Sequence, residues 1–157
     1  DCKSLLLFIK DEGRKVDSIF LTHTHRDHIS CLDELKQNLG SPKIHVHSKE
    51  PVEGSILIEE GFSINLGKFS LQAFHTHGHS FGGITYLIDG LPCPVAIVGD
   101  ALFAGSMGGG MVSYADALET NREKIMTLPD HCVICPGHGP MSTIGEEKKY
   151  NPFFPEF

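Results

Sequence analysis

Residues Ile19-Phe20-Leu21-Thr22-His23-Thr24-His25-Arg26-Asp27-His28 place three imidazoles and a carboxylate directly behind a short apolar run. In an extended segment, side chains two apart point to the same side, so His23 and His25 converge on one cation at the end of their strand. Asp27 and His28 cannot serve that ion in the same way. If the chain turns here into a helix capped by Ser30, with Leu32, Leu35 and Leu39 as its buried stripe and Gly40 as its stop, Asp27 and His28 face a second position beside the first. The motif therefore predicts two adjacent metal positions. A merely solvated turn rarely needs four such ligands in six residues.

Around this motif, 157 residues with 40% hydrophobic and 21% charged side chains suit one globular domain over 1–157 with a sizeable core. A formal net charge of −7 argues against a nucleic-acid groove, which needs clustered Lys and Arg, and the one basic pair of note is Lys148-Lys149. A cationic metal cluster can still hold an anionic small-molecule substrate. The 5 cysteines are odd in number and form no compact framework, which suits a reducing compartment, the cytoplasm. Cys132-Val133-Ile134-Cys135 has redox-motif spacing but lies in an apolar run ending at Pro136, so it reads as a strand with its thiols on opposite faces. No signal peptide and no apolar run of membrane-spanning length is present, and no membrane partner is expected.

Upstream of the motif, residues 4–12 read as a helix with Leu5, Phe8 and Ile9 inward and Gly13 as terminator, followed by a strand over 16–21. Downstream, residues 43–47 alternate, with Ile44 and Val46 on one face and His45 and His47 on the other, a half-buried strand. Those two histidines are assigned a structural or solvated role, because no loop at the strand's end joins them to a third ligand. Short strands and turns follow around Gly54, Gly61 and Gly67. A strand over 69–74 then delivers His75, His77 and His79 at period two, of which one is expected to bind. A strand over 83–88, the stiff connector Leu91-Pro92-Cys93-Pro94 and a strand over 94–98 lead to Gly99-Asp100. A carboxylate at the mouth of such a strand can bridge two cations with its two oxygens.

The Gly-rich residues 103–110 read as a mobile loop beside the metals and lack the register of a nucleotide-binding glycine motif. Ser113, with Asp116 three residues on, starts a helix carrying Tyr114, Leu118, Ile125 and Leu128 and stopped by Pro129. The last strand, 131–135, ends in Pro136-Gly137-His138-Gly139-Pro140, a rigid turn that presents His138. His131, at the far end of that strand, is expected at the surface.

The run His23-Thr24-His25-Arg26-Asp27-His28, then His75-Thr76-His77-Gly78-His79-Ser80, Gly99-Asp100 and Pro136-Gly137-His138-Gly139, resembles the metallo-β-lactamase-fold hydrolases over nearly the whole chain. The most similar branch is the glyoxalase II-like group, whose pattern also includes Thr143-Ile144-Gly145-Glu146-Glu147 and Asn151-Pro152-Phe153. The resemblance implies an α/β fold, the four-layer αβ/βα sandwich, with every ligand on one edge. It also implies His23, His25 and His79 on a first ion, Asp27, His28 and His138 on a second, and Asp100 between them. The family's His-Thr-Pro-Gly-His-Thr pattern selects His79, and His77, at the proline position, is the alternative. Two divalent ions follow, Zn²⁺ first for so nitrogen-rich a set, with Fe or Mn as alternatives. The family places several strands before the first helix, and these are absent here. The expectation is an N-terminally incomplete domain, or a homodimer through the exposed sheet edge.

The implied activity is a dinuclear metal-dependent hydrolase with Asp27 and Asp100 as catalytic carboxylates, acting on a thioester such as an S-acylglutathione. A thiolate leaves without much proton assistance, whereas an amine or alkoxide needs a donor. The chain lacks the Gly-Cys-Gly-Arg run of several relatives after Asp100, and no helical substrate domain is expected within residues 1–157, which leaves Lys148, Lys149 and Tyr150 as candidate contacts to an anionic thiol. A β-lactamase with a Cys-type second site would need a thiol where Asp100 stands. The alternatives are a mononuclear iron persulfide dioxygenase-like enzyme, using two histidines and Asp100, and a non-catalytic metal-binding fragment.

Overall fold

Parallel pairing decides where the histidine motif emerges. In the computed structural model, which describes residues 2–157, β1 (Ser18–Phe20), β2 (Lys43–His47) and β3 (Ile56–Ile58) pair in that order, all parallel. Because Phe20 lies opposite His45, the residues leaving β1 run beside those leaving β2.

The second sheet has six strands in the order β11-β10-β7-β6-β5-β4, comprising β4 (Ser63–Leu66), β5 (Phe69–His75), β6 (Ile84–Asp89), β7 (Val95–Gly99), β10 (Val133–Pro136) and β11 (Ser142–Thr143). β5 and β7 are each antiparallel to β6, and β10 is parallel to β7. The carboxyl ends of β5, β7 and β10 therefore share one sheet edge. The chain leaving β1 reaches the same edge, since the Ile84 N–H donates to Thr22 O over 2.8 Å. Four strand ends thus converge by topology alone.

Three apolar clusters separate four layers. Leu32 of α3 (Leu32–Asn38), with Leu21, Ile44 and Val46, covers the outer face of the small sheet. Ile58, Leu71, Ala73, Ile84 and Tyr86, with Phe20 packed against them, fill the space between the sheets. Ala96, Val98 and Ile134 meet Ala117 of α4 (Tyr114–Thr120) and Ile144 of α5 (Ile144–Tyr150) on the far side. Fully burying each Val, Leu or Ile among them contributes about 1.5–3 kcal/mol. Among the described residues, no helix is long and apolar enough to cross a membrane.

Several local expectations are revised. α1 (Cys2–Asp11) buries Cys2 and half-buries Leu6 and Ile9, while Leu5 and Phe8, expected inward, are exposed. The spacing 2, 6, 9 is a helical stripe, one residue out of phase with the expected one. The helix expected to be capped by Ser30 is α3, whose N-cap is Cys31 at φ −100, ψ 2, and a separate short helix, α2 (Arg26–Ile29), precedes it and ends at Ser30. Strand β2 is buried on both faces from Ile44 to His47 instead of alternating, since α3 lies on one side and the second sheet on the other. Residues 103–110 are not an open loop throughout: β8 (Leu102–Phe103) and β9 (Ser106–Met107) form a hairpin with Leu102 and Met107 buried. Tyr114, expected in the α4 stripe, is exposed, and Ser113 caps that helix by accepting from Asp116 N at 3.2 Å.

Tyr86, fully buried, donates its hydroxyl to Leu21 O at 2.8 Å and so ties the large sheet to the residue before the histidine motif. Tyr86→Phe is expected to destabilise the chain by about 1–3 kcal/mol, the cost of an unsatisfied buried carbonyl, measured by urea unfolding.

Candidate metal centre

His25 is where the chain changes direction. Its φ of −59 and ψ of 147 end the extended segment, and α2 begins at Arg26. His23 and His25 therefore project from an extended run, while Asp27 and His28 project from the first turn of a helix.

The four strand ends bring seven side chains together. Ligating atoms of His23, His25 and His79 lie within 4.8 Å of one another, as do those of His23, His28 and Asp100, and those of Asp27, His28 and His138. His79 Nε2 is 3.0 Å from His25 Nδ1, and His138 Nε2 is 3.0 Å from Asp27 Oδ2. Asp100 stands between the two sets: Oδ1 is 3.3 Å from His28 Nε2, and Oδ2 is 3.5 Å from both His79 Nε2 and His138 Nε2. His77 is turned away, with Nε2 3.7 Å from Asp116 Oδ2.

Whether this set suits a cation is decided by its unpaired atoms. His23 Nε2, His28 Nε2 and Asp100 Oδ1 are buried without a hydrogen-bond partner, which is costly unless a further group binds there. The tautomers agree. His79 Nδ1 donates to Gly109 O at 2.9 Å, which leaves Nε2 as a lone pair facing the cluster. Burial, and then the neighbouring His28, push His23 down to about 4, so it is neutral at pH 7, the form that binds a metal. The backbone N–H of Asp27 itself holds that carboxyl below its ordinary range, against slight burial, with help from His28 and His138. The donor set fits divalent transition metals.

Close backbone approach completes the cradle. A Cβ on Gly137 would strike Asp100 Oδ1 and His28 Cε1, and one on Gly108 would strike Asp100 O. Both positions require glycine so that the loops carrying His138 and the β8–β9 hairpin can close on Asp100.

A model of the metallo-beta-lactamase superfamily matches residues 2–138. The chain belongs to that superfamily. The probable metallo-hydrolase YqgX of Bacillus subtilis is 32% identical over 96% of this chain and 81% of its own length. The hydroxyacylglutathione hydrolase GloC of Haemophilus influenzae is 28% identical over 98% of this chain and 82% of its own. The B3 metallo-beta-lactamase BLEG-1 has a crystal structure that superposes with a TM-score of 0.85 at 29% identity, covering 98% of this chain and 84% of that one. Metallo-β-lactamase fold and metallo-hydrolase class are thus shared with relatives, and divalent metals are the family's cofactors.

The remaining histidines form a separate group. His47 stacks on His75 with centroids 3.9 Å apart, and His75 on His77 at 4.5 Å, while His45 stacks on Phe20 at 4.4 Å. His45 and His47 are buried, so of the two roles expected for them the structural one holds. His131 is exposed. All 5 cysteines are free thiols, and burial pushes Cys132 up to about 11. Two contributors were not singled out from sequence: Gly108, for which the Gly-rich run was a signal, and Glu50, for which a lone acidic residue after a strand was none.

Away from the metal cluster, protons are disfavoured on the half-buried His75 and the buried His47. Burial, reinforced by His47 and His77 against the bond to Phe81 O, lowers His75 to about 4, and burial lowers His47. Above about pH 6.5 both folded and unfolded chains keep these imidazoles neutral. Between about pH 6.5 and 4 the unfolded chain takes up protons that the folded chain does not, so stability falls with pH. The urea midpoint of chelator-treated protein is expected to decline across that window, and His75→Phe is expected to flatten the slope.

Proposed function

We propose that the chain is a dinuclear metal hydrolase of thioesters of the S-acylglutathione type, with Zn²⁺ as the first choice of metal and Fe or Mn as alternatives. The observation that carries the two-ion reading is the position of Asp100, whose carboxylate lies 3.5 Å from His79 of the first set and 3.3 and 3.5 Å from His28 and His138 of the second. In this reading His23, His25 and His79 would hold one ion, Asp27, His28 and His138 the other, with Asp100 available to both. When bound, such a pair supplies a water acidified toward neutral pH and a Lewis acid for the substrate carbonyl.

The protein's own groups narrow the substrate. Asp27 is exposed at the mouth of the site, with Oδ2 3.0 Å from His138 Nε2, and its own backbone N–H holds it below the ordinary carboxylate range. An ionised carboxylate orients a water and accepts its proton but is a poor donor to a leaving group. A thiolate, with a parent pKa of about 8.5, departs without such a donor. The relationship to GloC, named a hydroxyacylglutathione hydrolase, supports the same class. Five free thiols support a reducing compartment, the cytoplasm.

Elemental analysis of metal-replete protein is expected to give about two equivalents per chain, and one or none would overturn the dinuclear reading. With an S-acylglutathione, its oxygen-ester analogue and a β-lactam compared side by side, the thioester is expected to turn over fastest. Faster β-lactam turnover, or oxygen uptake with a glutathione persulfide, would replace the proposed substrate class. Asp100→Ala is expected to lower kcat/KM by at least about 10²-fold. Absence of any turnover by the folded, metal-loaded chain would support a non-catalytic role.

A further inference from the structure

Glu50 lies in the turn after β2, on the same sheet edge as the histidine motif, because β2 runs parallel to β1. Its carboxylate makes three hydrogen bonds to two different loops. Oε2 accepts from Thr24 N at 2.9 Å and from Thr24 Oγ1 at 3.0 Å, and Oε1 accepts from Gly82 N at 2.9 Å. Thr24 sits between His23 and His25, and Gly82 lies three residues after His79 in the loop between β5 and β6. One side chain therefore joins the two backbone segments that supply all three imidazoles of the first cluster.

We propose that Glu50 is the positioning residue of that cluster, clamping the His23–His25 segment to the His79 loop so that their imidazoles stay aimed at one ion. The inference rests on the metal-site reading above. The local structure favours this contact: a Cβ on Gly82 would lie 3.0 Å from Glu50 Cγ and 3.1 Å from His47 Cβ, tighter than most Cβ contacts, so glycine lets the amide reach the carboxylate without displacing its neighbours. Burial works against ionisation of Glu50, yet the Gly82 and Thr24 amides outweigh it and hold the carboxyl below its ordinary range, so the clamp is charged at neutral pH. Charge-assisted bonds of this kind are about twice as strong as neutral ones. Besides this clamp, the Ile84 N–H to Thr22 O bond joins the two segments at the start of the motif, and at the imidazoles themselves His25 and His79 approach each other, the contact a cation would separate.

Glu50→Gln keeps the shape but replaces one oxygen by an NH₂ group, which must then face the N–H of either Thr24 or Gly82, so one arm of the clamp opens. Wild type, Glu50→Gln and Thr24→Ala, which removes only the hydroxyl arm, are compared as full chains. Metal affinity is read by competition with a chromophoric chelator, Co²⁺ is used for its ligand-field spectrum, and far-UV circular dichroism of the metal-free protein reports folding. Glu50→Gln is expected to lower the affinity of one ion by about 10–100-fold and to alter the Co²⁺ spectrum, leaving the second ion's affinity nearly unchanged. Thr24→Ala is expected to give a smaller loss in the same direction. Folded variants that bind both ions as tightly as wild type, with an unchanged Co²⁺ spectrum, overturn the positioning role while leaving the metal site intact. Failure of the wild type to bind metal overturns the metal-site reading, and this inference with it. Should Glu50→Gln not fold, an unchanged affinity in Thr24→Ala overturns the proposal.

Discussion

Asp100 is the constraint on which the rest of the structure depends. It is a mostly buried carboxylate with one oxygen unpaired, set among imidazoles that arrive from three other strand ends. Burying a charge is costly unless it is compensated, so its surroundings must bring compensation to a fixed point. The strand directions meet that demand. β5, β7 and β10 end on one edge because β6 is antiparallel to its neighbours and β10 parallel to β7, and β1 delivers its loop to the same edge through the Thr22–Ile84 bond. Glycine at 137 then lets the backbone close on the carboxylate, and glycine at 108 lets it close on the main-chain carbonyl of Asp100. Sheet topology, turn chemistry and the charge at one residue are a single arrangement.

Much of this was legible in the chain because the signals were local. A strand feeding His-x-His-x-Asp-His, a strand ending in Gly-Asp and a Pro-Gly-His-Gly turn each declare their geometry within a few residues, and the positions of β2, β5 and β7 followed from alternation and flanking glycine or proline. The phase of α1 was not legible. Its run Leu5-Leu6-Leu7-Phe8-Ile9 is apolar on every side, so pattern alone cannot say which face turns inward, and the structure selects Cys2, Leu6 and Ile9. The break between α2 and α3 was hidden for a related reason. Leucine spacing marks the buried stripe of α3, but the four residues of α2 bury no side chain and are oriented by the cluster they serve.

Histidine content was the weaker guide, and ring geometry shows why. Ten histidines occupy the sequence, and three of them, His47, His75 and His77, stack face to face at 17° and 23°. Stacked rings present their nitrogens outward along parallel edges, to Glu59, Phe81 O and Asp116, and not to a common point. In the metal cluster the rings of His23 and His25 meet at 81° and those of His25 and His79 at 75°, which turns their nitrogens toward one another. Period-two spacing produces either outcome. In β5 it continues the strand to His75 and stacks that ring on a neighbour, whereas beyond Gly78, at φ 123, the chain turns and His79 swings to the other side.

Two carboxylates outside the cluster complete the logic of its support, one under each half of the site's rim. Glu50 lies behind the His23–His25 segment and the His79 loop. Glu147, almost fully buried on α5, accepts from Gly105 N at 2.9 Å, from Asn151 Nδ2 at 2.8 Å and from Ser142 Oγ, while Asn151 also donates to Ser106 O at 2.9 Å. Those bonds hold the turn of the β8–β9 hairpin, whose Phe103 packs edge-on against His138 at 6.2 Å. A short hairpin of two-residue strands has little stability of its own. Its position beside His138 is therefore set by the C-terminal helix, through residues whose role lies in the distance they span and not in any contact with a bound ion.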